Sequence, residues 1–283
     1  MSDENSKKTM SEAHNTHHAK KRRARRDASG THRKTVRRKV ERESADELYL
    51  YGLHTVRAAL NNIRRTKIAL HATKNGLTRL QDGIAIDFAV PVYEKMPGEL
   101  DRMVGSDAVH QGVVLHTEPL PRKNIAELDD TDLVLVLDQV TDPHNVGAIM
   151  RSAVALNAGA IITTSRYSPA EGGVLAKSAS GALDLIDHIE VRNLSETLLE
   201  LDKSGFTTLG LDSEEAIPME ELSAQKKIAL VLGAEGKGLR QKTRETCNHL
   251  VRLDMPGAIK SLNVSNAAAL ALYLSRSNLD QNT

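Results

Sequence analysis

The chain has 283 residues and 40% hydrophobic content, enough for one large or two modest domains with a core each. Its single cysteine, Cys247, excludes an internal disulfide framework and a thiolate zinc cluster, and no apolar run reaches the roughly 18 to 20 residues that span a bilayer. The net charge of +1 hides an asymmetry, because basic runs crowd the first 42 residues and leave the remainder correspondingly acidic.

Residues 1–46 are polar, charged and without apolar periodicity, so they are expected to be disordered. Between Lys20 and Arg42 lie the runs KKRRARR, RK and RRK, which read either as a solubilising extension or as an RNA-binding arm working through phosphate contacts. His14, His17, His18 and His32 lack a fixed scaffold and read as passengers rather than metal ligands. The basic start has no apolar secretory segment, and a soluble, cytoplasmic protein with no membrane partner is expected.

Residues 47–117 read as a small α/β unit. Tyr51-Gly52 opens a helix with Val56, Ala59, Leu60 and Ile63 at helical spacing, and Lys67 to Leu70, Ala89 to Val92 and Gly112 to His116 read as strands. A linker over 118–131, with Pro119 and Pro121, follows.

From 132 to 283 strand and helix patterns alternate, as in a parallel α/β domain. Leu133 to Leu137 is continuously apolar, the mark of a strand buried on both faces, and Ala160 to Thr163, Phe206 to Leu211, Ile228 to Leu232 and Leu250 to Leu253 are further strands. With no Trp and two Phe, packing falls to Leu, Val, Ile and Ala. A closing, largely buried helix over about 266–277 places Ala267, Leu270, Ala271 and Leu274 on one stripe.

Three polar segments sit at strand-to-helix junctions, where an open sheet offers groups to a ligand. The first is Asp142-Pro143-His144-Asn145-Val146-Gly147, running on to Arg151. Here Asn145 reads either as a helix cap or as a substrate-facing amide. Arg151 is either a solvated helix arginine or a phosphate or ribose clamp above an open floor at Gly147 and Ala148. The second, Leu232 to Gly238 (LGAEGKG), lacks the spacing of a P-loop or a dinucleotide fingerprint. Its Glu235 is either a solvated loop acid or a carboxylate set beside a cation. The third runs from Met255-Pro256-Gly257 to Ser261-Leu262-Asn263-Val264-Ser265; Ser265 reads as the cap of the closing helix, and Ser261 and Asn263 have no evident structural task. No His/Asp pair stands ready to activate Ser261, so a serine hydrolase is disfavoured.

In this order and at these separations the segments resemble the three signature motifs of the SpoU/TrmH-type ribose 2'-O-methyltransferases, the RNA-modifying branch of the SPOUT class, from roughly Tyr49 to the C-terminus. The wording VTDPHN, GAEGKGLR and TRETC is especially similar to the subgroup that modifies a guanosine of 23S ribosomal RNA. The resemblance implies a parallel sheet with a C-terminal deep trefoil knot, preceded by a ribosomal-protein-like substrate-binding domain whose end resembles Ala108 to Gly112. It also implies a homodimer that binds S-adenosyl-methionine and RNA and needs no metal. Carried over, Gly233, Leu253 and Leu262 would hold the cofactor, while Arg151, Asn145, Glu235, Ser261 and Asn263 would line the methyl-transfer site. The rival readings are a transfer-RNA ribose methyltransferase and a non-catalytic ribosome-assembly factor of the same fold.

Overall fold

The structure, a computed structural model, describes residues 47–82, 90–128, 130–213 and 216–281. The basic segment 1–46, its four histidines and Ala89 lie outside the described residues.

The first sheet has four strands, β1 (Leu48–Tyr51), β2 (Lys67–Ala72), β3 (Val92–Glu94) and β4 (Val113–Thr117), in the order β1-β4-β2-β3. Strand β4 is antiparallel to β1 and β2, while β2 and β3 run parallel. Alternation divides the side chains. Leu50, Leu70, Val113 and Leu115 enter the main core with helix α1 (Leu53–Asn61), and Tyr51 and Val114 pack on the opposite face against Leu100 of α3 (Pro97–Val104). Helix α2 (Lys74–Gln81) begins where Thr73 Oγ1 accepts from the Gly76 N–H at 3.0 Å. Two expectations are corrected. Helix α1 stops at Asn61 and leaves Ile63 96% exposed in the following turn. The third strand occupies Val92–Glu94, beyond Pro91, which has no N–H to contribute to a ladder.

The second sheet has seven strands, all adjacent pairs parallel: β5 (Leu133–Asp138), β6 (Ala160–Thr164), β7 (Asp187–Val191), β8 (Thr207–Leu211), β9 (Ile217–Pro218), β10 (Ile228–Gly233) and β11 (His249–Arg252). Their order is β7-β6-β5-β10-β8-β11-β9, so the chain builds outward from β5 to one edge, then returns and inserts β10 against β5. Apolar residues face both ways, as the continuous run in β5 predicts. Leu133, Leu135 and Leu137 pack with α4 (Pro143–Ala155), α5 (Gly173–Ala179) and α8 (Val264–Asp280), while Val134 and Val136 share a core with α6 (Leu194–Lys203). A short helix α7 (Gln241–Thr246) leads into β11. Strands β7 and β9 escape the apolar pattern because β7 carries Asp187, His188 and Glu190, and β9 is two residues long.

Helix α8 is longer than expected and buried on one side only. Val264, Ala268, Ala271, Leu272 and Leu279 face the core, whereas Leu270 and Tyr273 are 50% and 62% exposed, so the predicted stripe is rotated.

Ionic contacts tie the first sheet to the second. Arg65, its side chain fully buried, places Nε 2.6 Å from Asp184 and Nη1 2.7 Å from Glu171. Removing one partner of such a pair leaves an uncompensated buried charge, at a cost of about 3–5 kcal/mol. The connecting stretch is bound as well, since Lys123 Nζ lies 2.7 Å from Asp187 and the Leu120 N–H donates to Glu171 at 3.0 Å.

Candidate active site

Strands β8, β10 and β11 end side by side, and their C-terminal ends open into a cavity of about 720 Å³ lined by Leu211, Gly233, Glu235, Leu253, Ser261 and Leu262 among others. This is the edge at which α/β sheets bind ligands, beside the point where the strand order reverses.

The loop after β10 doubles back within five residues. The Gly238 N–H donates to the Ala234 carbonyl at 2.9 Å, and Gly236 and Gly238 take φ values of 73° and 65°, which glycine adopts without a Cβ penalty. At Gly233 a Cβ would lie 2.1 Å from the carbonyl carbon of Gly238, so only glycine permits this closure. Asp138 holds the loop from below. Its buried carboxylate accepts from the Arg240 backbone N–H at 3.1 Å and from Arg240 Nε at 2.7 Å. The sequence reading passed over both residues; the signal was an acid closing an otherwise apolar strand.

Asn263 is the N-cap of α8, its Oδ1 accepting from the Ser265 N–H at 2.9 Å; this corrects the cap assigned to Ser265, which lies inside the helix. The amide nitrogen of Asn263 donates to Glu235 Oε1 at 2.7 Å and to Asn145 Oδ1 at 3.1 Å. Asn145 Nδ2 donates to the same Glu235 oxygen at 3.2 Å, and so does the Val264 N–H at 3.2 Å. Nor is Asn145 a cap. Asp142 caps α4 by accepting from the His144 N–H at 3.0 Å, which leaves the Asn145 amide to bond Glu235 of the cavity wall.

Three segments that are distant in sequence thus converge through Asn145, Glu235 and Asn263. No ion pair among the described residues includes Glu235, whereas two cations of the cavity wall are matched, Arg244 to Asp212 at 3.2 Å and Arg252 to Asp254 at 2.8 Å. Glu235 is thus a carboxylate held by neutral amides, while Lys237 and Lys260 also line the cavity.

Arg151 stands apart. It lies nearly two turns beyond Asn145 on α4, exposed, outside the cavity lining and without a hydrogen bond or ion pair to the described residues. The open floor expected beneath it is filled: a Cβ on Gly147 would meet Ser178 Cβ at 2.5 Å and the Leu175 carbonyl oxygen at 2.9 Å. Gly147 lets α5 press against α4.

Burial, assisted by the charge of Asp138, pushes the Cys247 thiol up to about 12, so it stays protonated and serves as packing rather than as a nucleophile. A second cavity, of about 790 Å³, opens at the opposite end of the strands between Arg64, Lys123, Asp132, Asp187 and Lys227. Its charges pair with one another or with neighbours, Arg64 with Asp187 and Lys227 with Asp130, which marks a solvated ionic cluster. Among the described residues no three His, Cys, Asp or Glu side chains gather as a metal site, and no helix is long and apolar enough to cross a membrane.

A profile described as the SpoU rRNA methylase family matches residues 132–273, and one described as RNA 2'-O ribose methyltransferase substrate binding matches residues 49–122. The 23S rRNA (guanosine-2'-O-)-methyltransferase RlmB of Ralstonia nicotianae is 39% identical over 233 residues, covering 79% of this chain and 93% of that protein. The protein of the same name from Pseudomonas putida is 37% identical over 236 residues, covering 79% and 94%. Among solved structures, the SpoU methyltransferase AviRb from Streptomyces viridochromogenes in complex with AdoMet superposes with a TM-score of 0.69 at 20% identity, covering 82% of this chain and 89% of that one. The substrate-binding and methylase profiles follow each other here in one chain, and the chain belongs to the SpoU rRNA methylase family.

Proposed function

We propose that this protein transfers a methyl group from S-adenosyl-methionine to the 2'-hydroxyl of a guanosine in 23S ribosomal RNA. The observation that carries the reading is the convergence of Asn145, Glu235 and Asn263 at the mouth of a cavity walled by Gly233, Leu253 and Leu262. The cavity suits this cofactor. Its volume lies in the range of small-ligand sites, Leu211, Leu253 and Leu262 offer apolar walls to a purine, and Glu235 offers a negative charge to a sulfonium.

When bound, the cofactor supplies a methyl group already activated for transfer. The remaining tasks fall to side chains: aligning a weakly nucleophilic ribose hydroxyl and stabilising the oxyanion that develops on it. Asn145 and Asn263, fixed by Glu235, orient the ribose, with Ser261 beside them. Arg151 supplies the positive charge for the oxyanion and adjacent phosphate. Its planar guanidinium suits it to an electrostatic clamp on both. The C-terminal part of the domain forms the trefoil knot expected of the family, and the protein works as a homodimer, supported by the exposed Leu270 and Tyr273 of α8. With Arg151 outside the cavity of its own chain, a dimer that offers it to the neighbouring copy's cavity accounts for both features. The basic segment 1–46 acts as an RNA-binding arm ahead of the substrate-binding domain at 47–117, the linker at 118–131 and the catalytic domain at 132–283.

Arg151→Ala tests the assignment. S-adenosyl-homocysteine binding measured by calorimetry should match the wild type, while single-turnover methyl transfer to unmodified 23S RNA should fall at least about a hundredfold, the scale of one lost contact to a developing oxyanion. Transfer at the wild-type rate would remove Arg151 from the reaction.

A further inference from the structure

The loop between β6 and α5 carries a feature that the methyl-transfer site does not use. Tyr167 sits at φ 64°, a left-handed conformation that is an outlier for a bulky side chain, and its ring is 63% exposed. Strain of this kind persists only where the surroundings enforce it, and it concentrates at functional sites.

The enforcement is visible at both ends of the loop. At the start, the Ser165 N–H donates to the Val191 carbonyl at 2.9 Å, and Thr164 Oγ1 bonds to the Arg166 carbonyl. At the end, Glu171 is held 2.7 Å from buried Arg65 and accepts from the Leu120 N–H at 3.0 Å. Between these anchors Arg166 and Tyr167 are exposed, and so is Arg192, the residue after Val191, whose carbonyl accepts from the Ser165 N–H. No ion pair among the described residues includes Arg166 or Arg192, whereas Arg122 has Glu190 of strand β7.

Position gives the patch its meaning. Thr163 pairs with Leu137, so the loop leaves the sheet at the same edge as the active site, one strand spacing from β5 and two, on the order of 10 Å, from β10. It leads directly into α5, which packs on α4 through Gly147 and through His144 Nδ1, 3.1 Å from Ser178 Oγ. Through Glu171 it is tied to the substrate-binding domain as well. The loop is therefore linked to the substrate-binding domain and leaves the sheet at the strand ends that hold the cavity.

We propose that Arg166, Tyr167 and Arg192 form a docking site for a single-stranded nucleotide flanking the methylated one, with Tyr167 stacking on its base and the two arginines meeting its phosphates. An exposed ring with arginines outside any ion pair on the same and the adjoining segment is what an unstacked base and its backbone recognise. The inference rests on the RNA methyltransferase reading above.

The test uses the full-length protein and in vitro transcribed 23S RNA. Tyr167→Gly removes the ring and relieves the backbone, so the variant should melt no lower than the wild type and bind S-adenosyl-homocysteine equally well. Its KM for RNA should rise by about 5- to 150-fold, the range of one lost base-aromatic stack, with kcat little changed. Tyr167→Phe should restore KM. The double variant Arg166→Ala/Arg192→Ala should flatten the slope of log affinity against log salt by about 1.4, two single-strand phosphate contacts. A wild-type KM for Tyr167→Gly, or a wild-type salt slope for the double variant, would overturn the proposal. A wild-type protein that transfers no methyl group to any RNA would instead overturn the reading on which it rests.

Discussion

Gly233 shows how one residue decides the shape of the cavity at the strand ends. With its missing Cβ 2.1 Å from the Gly238 carbonyl carbon, Gly233→Ala must open the loop that carries Glu235. Affinity for S-adenosyl-homocysteine, read by calorimetry, should drop at least tenfold, with little loss of thermal stability because the clash falls on a surface loop; an unchanged affinity would mean that the loop does not shape the site. Gly233 and Glu235 stood out in the sequence because they follow the apolar run of β10, and Asn263 because it stands between Leu262 and Val264 ahead of the closing helix. The roles of Asn145 and Ser265 were not legible there, since capping depends on which of several adjacent polar residues the backbone turn selects: Asp142 and Asn263 took those positions. Asp138 and Arg240 escaped because their pairing spans 102 residues, a separation that no local pattern records. The supposed floor beneath Arg151 failed for a related reason. Small residues read as open space, yet a helix from elsewhere in the chain fills it.

Among the elements, β7 carries a charged and polar sequence yet is buried enough to have a measurable consequence. His188 Nε2 lies 2.8 Å from Thr163 Oγ1, and burial, with a smaller contribution from the charge of Arg122, pushes the imidazole down to about 4. The folded protein therefore keeps His188 neutral where the unfolded chain takes up a proton below about pH 6.5. The resulting stability is fully present above pH 6.5 and is lost as the pH falls towards 4, by roughly 3 kcal/mol in all. Denaturant unfolding of the wild type and His188→Gln should show the wild type losing more stability across that window; parallel curves would contradict the buried, neutral state. The parallel strands β5 and β10 could be read from continuous apolar runs and β6 and β8 from shorter apolar segments, whereas β7 could not, because its ladder is set by pairing with β6 rather than by its own composition. The same limit explains the rotated face of α8: periodicity locates a stripe, and packing against α4 and β10 chooses which side is covered.

At the scale of the whole molecule, the substrate-binding and catalytic sheets are joined through Arg65, Asp184 and Glu171, while the dense positive charge lies in the segment 1–46. Deleting residues 1–45 should leave S-adenosyl-homocysteine affinity intact and reduce both RNA affinity and the slope of log affinity against log salt. An unchanged slope would mean that the arm does not touch RNA. Ribose methylation of a guanosine in 23S RNA can be read by mapping 2'-O-methyl groups across total RNA from cells with and without this protein. One 23S guanosine should lose its methyl group in the deletion strain, regain it with the wild-type protein and not regain it with Arg151→Ala. An unchanged 23S methylation map, or a loss confined to transfer RNA, would contradict this function.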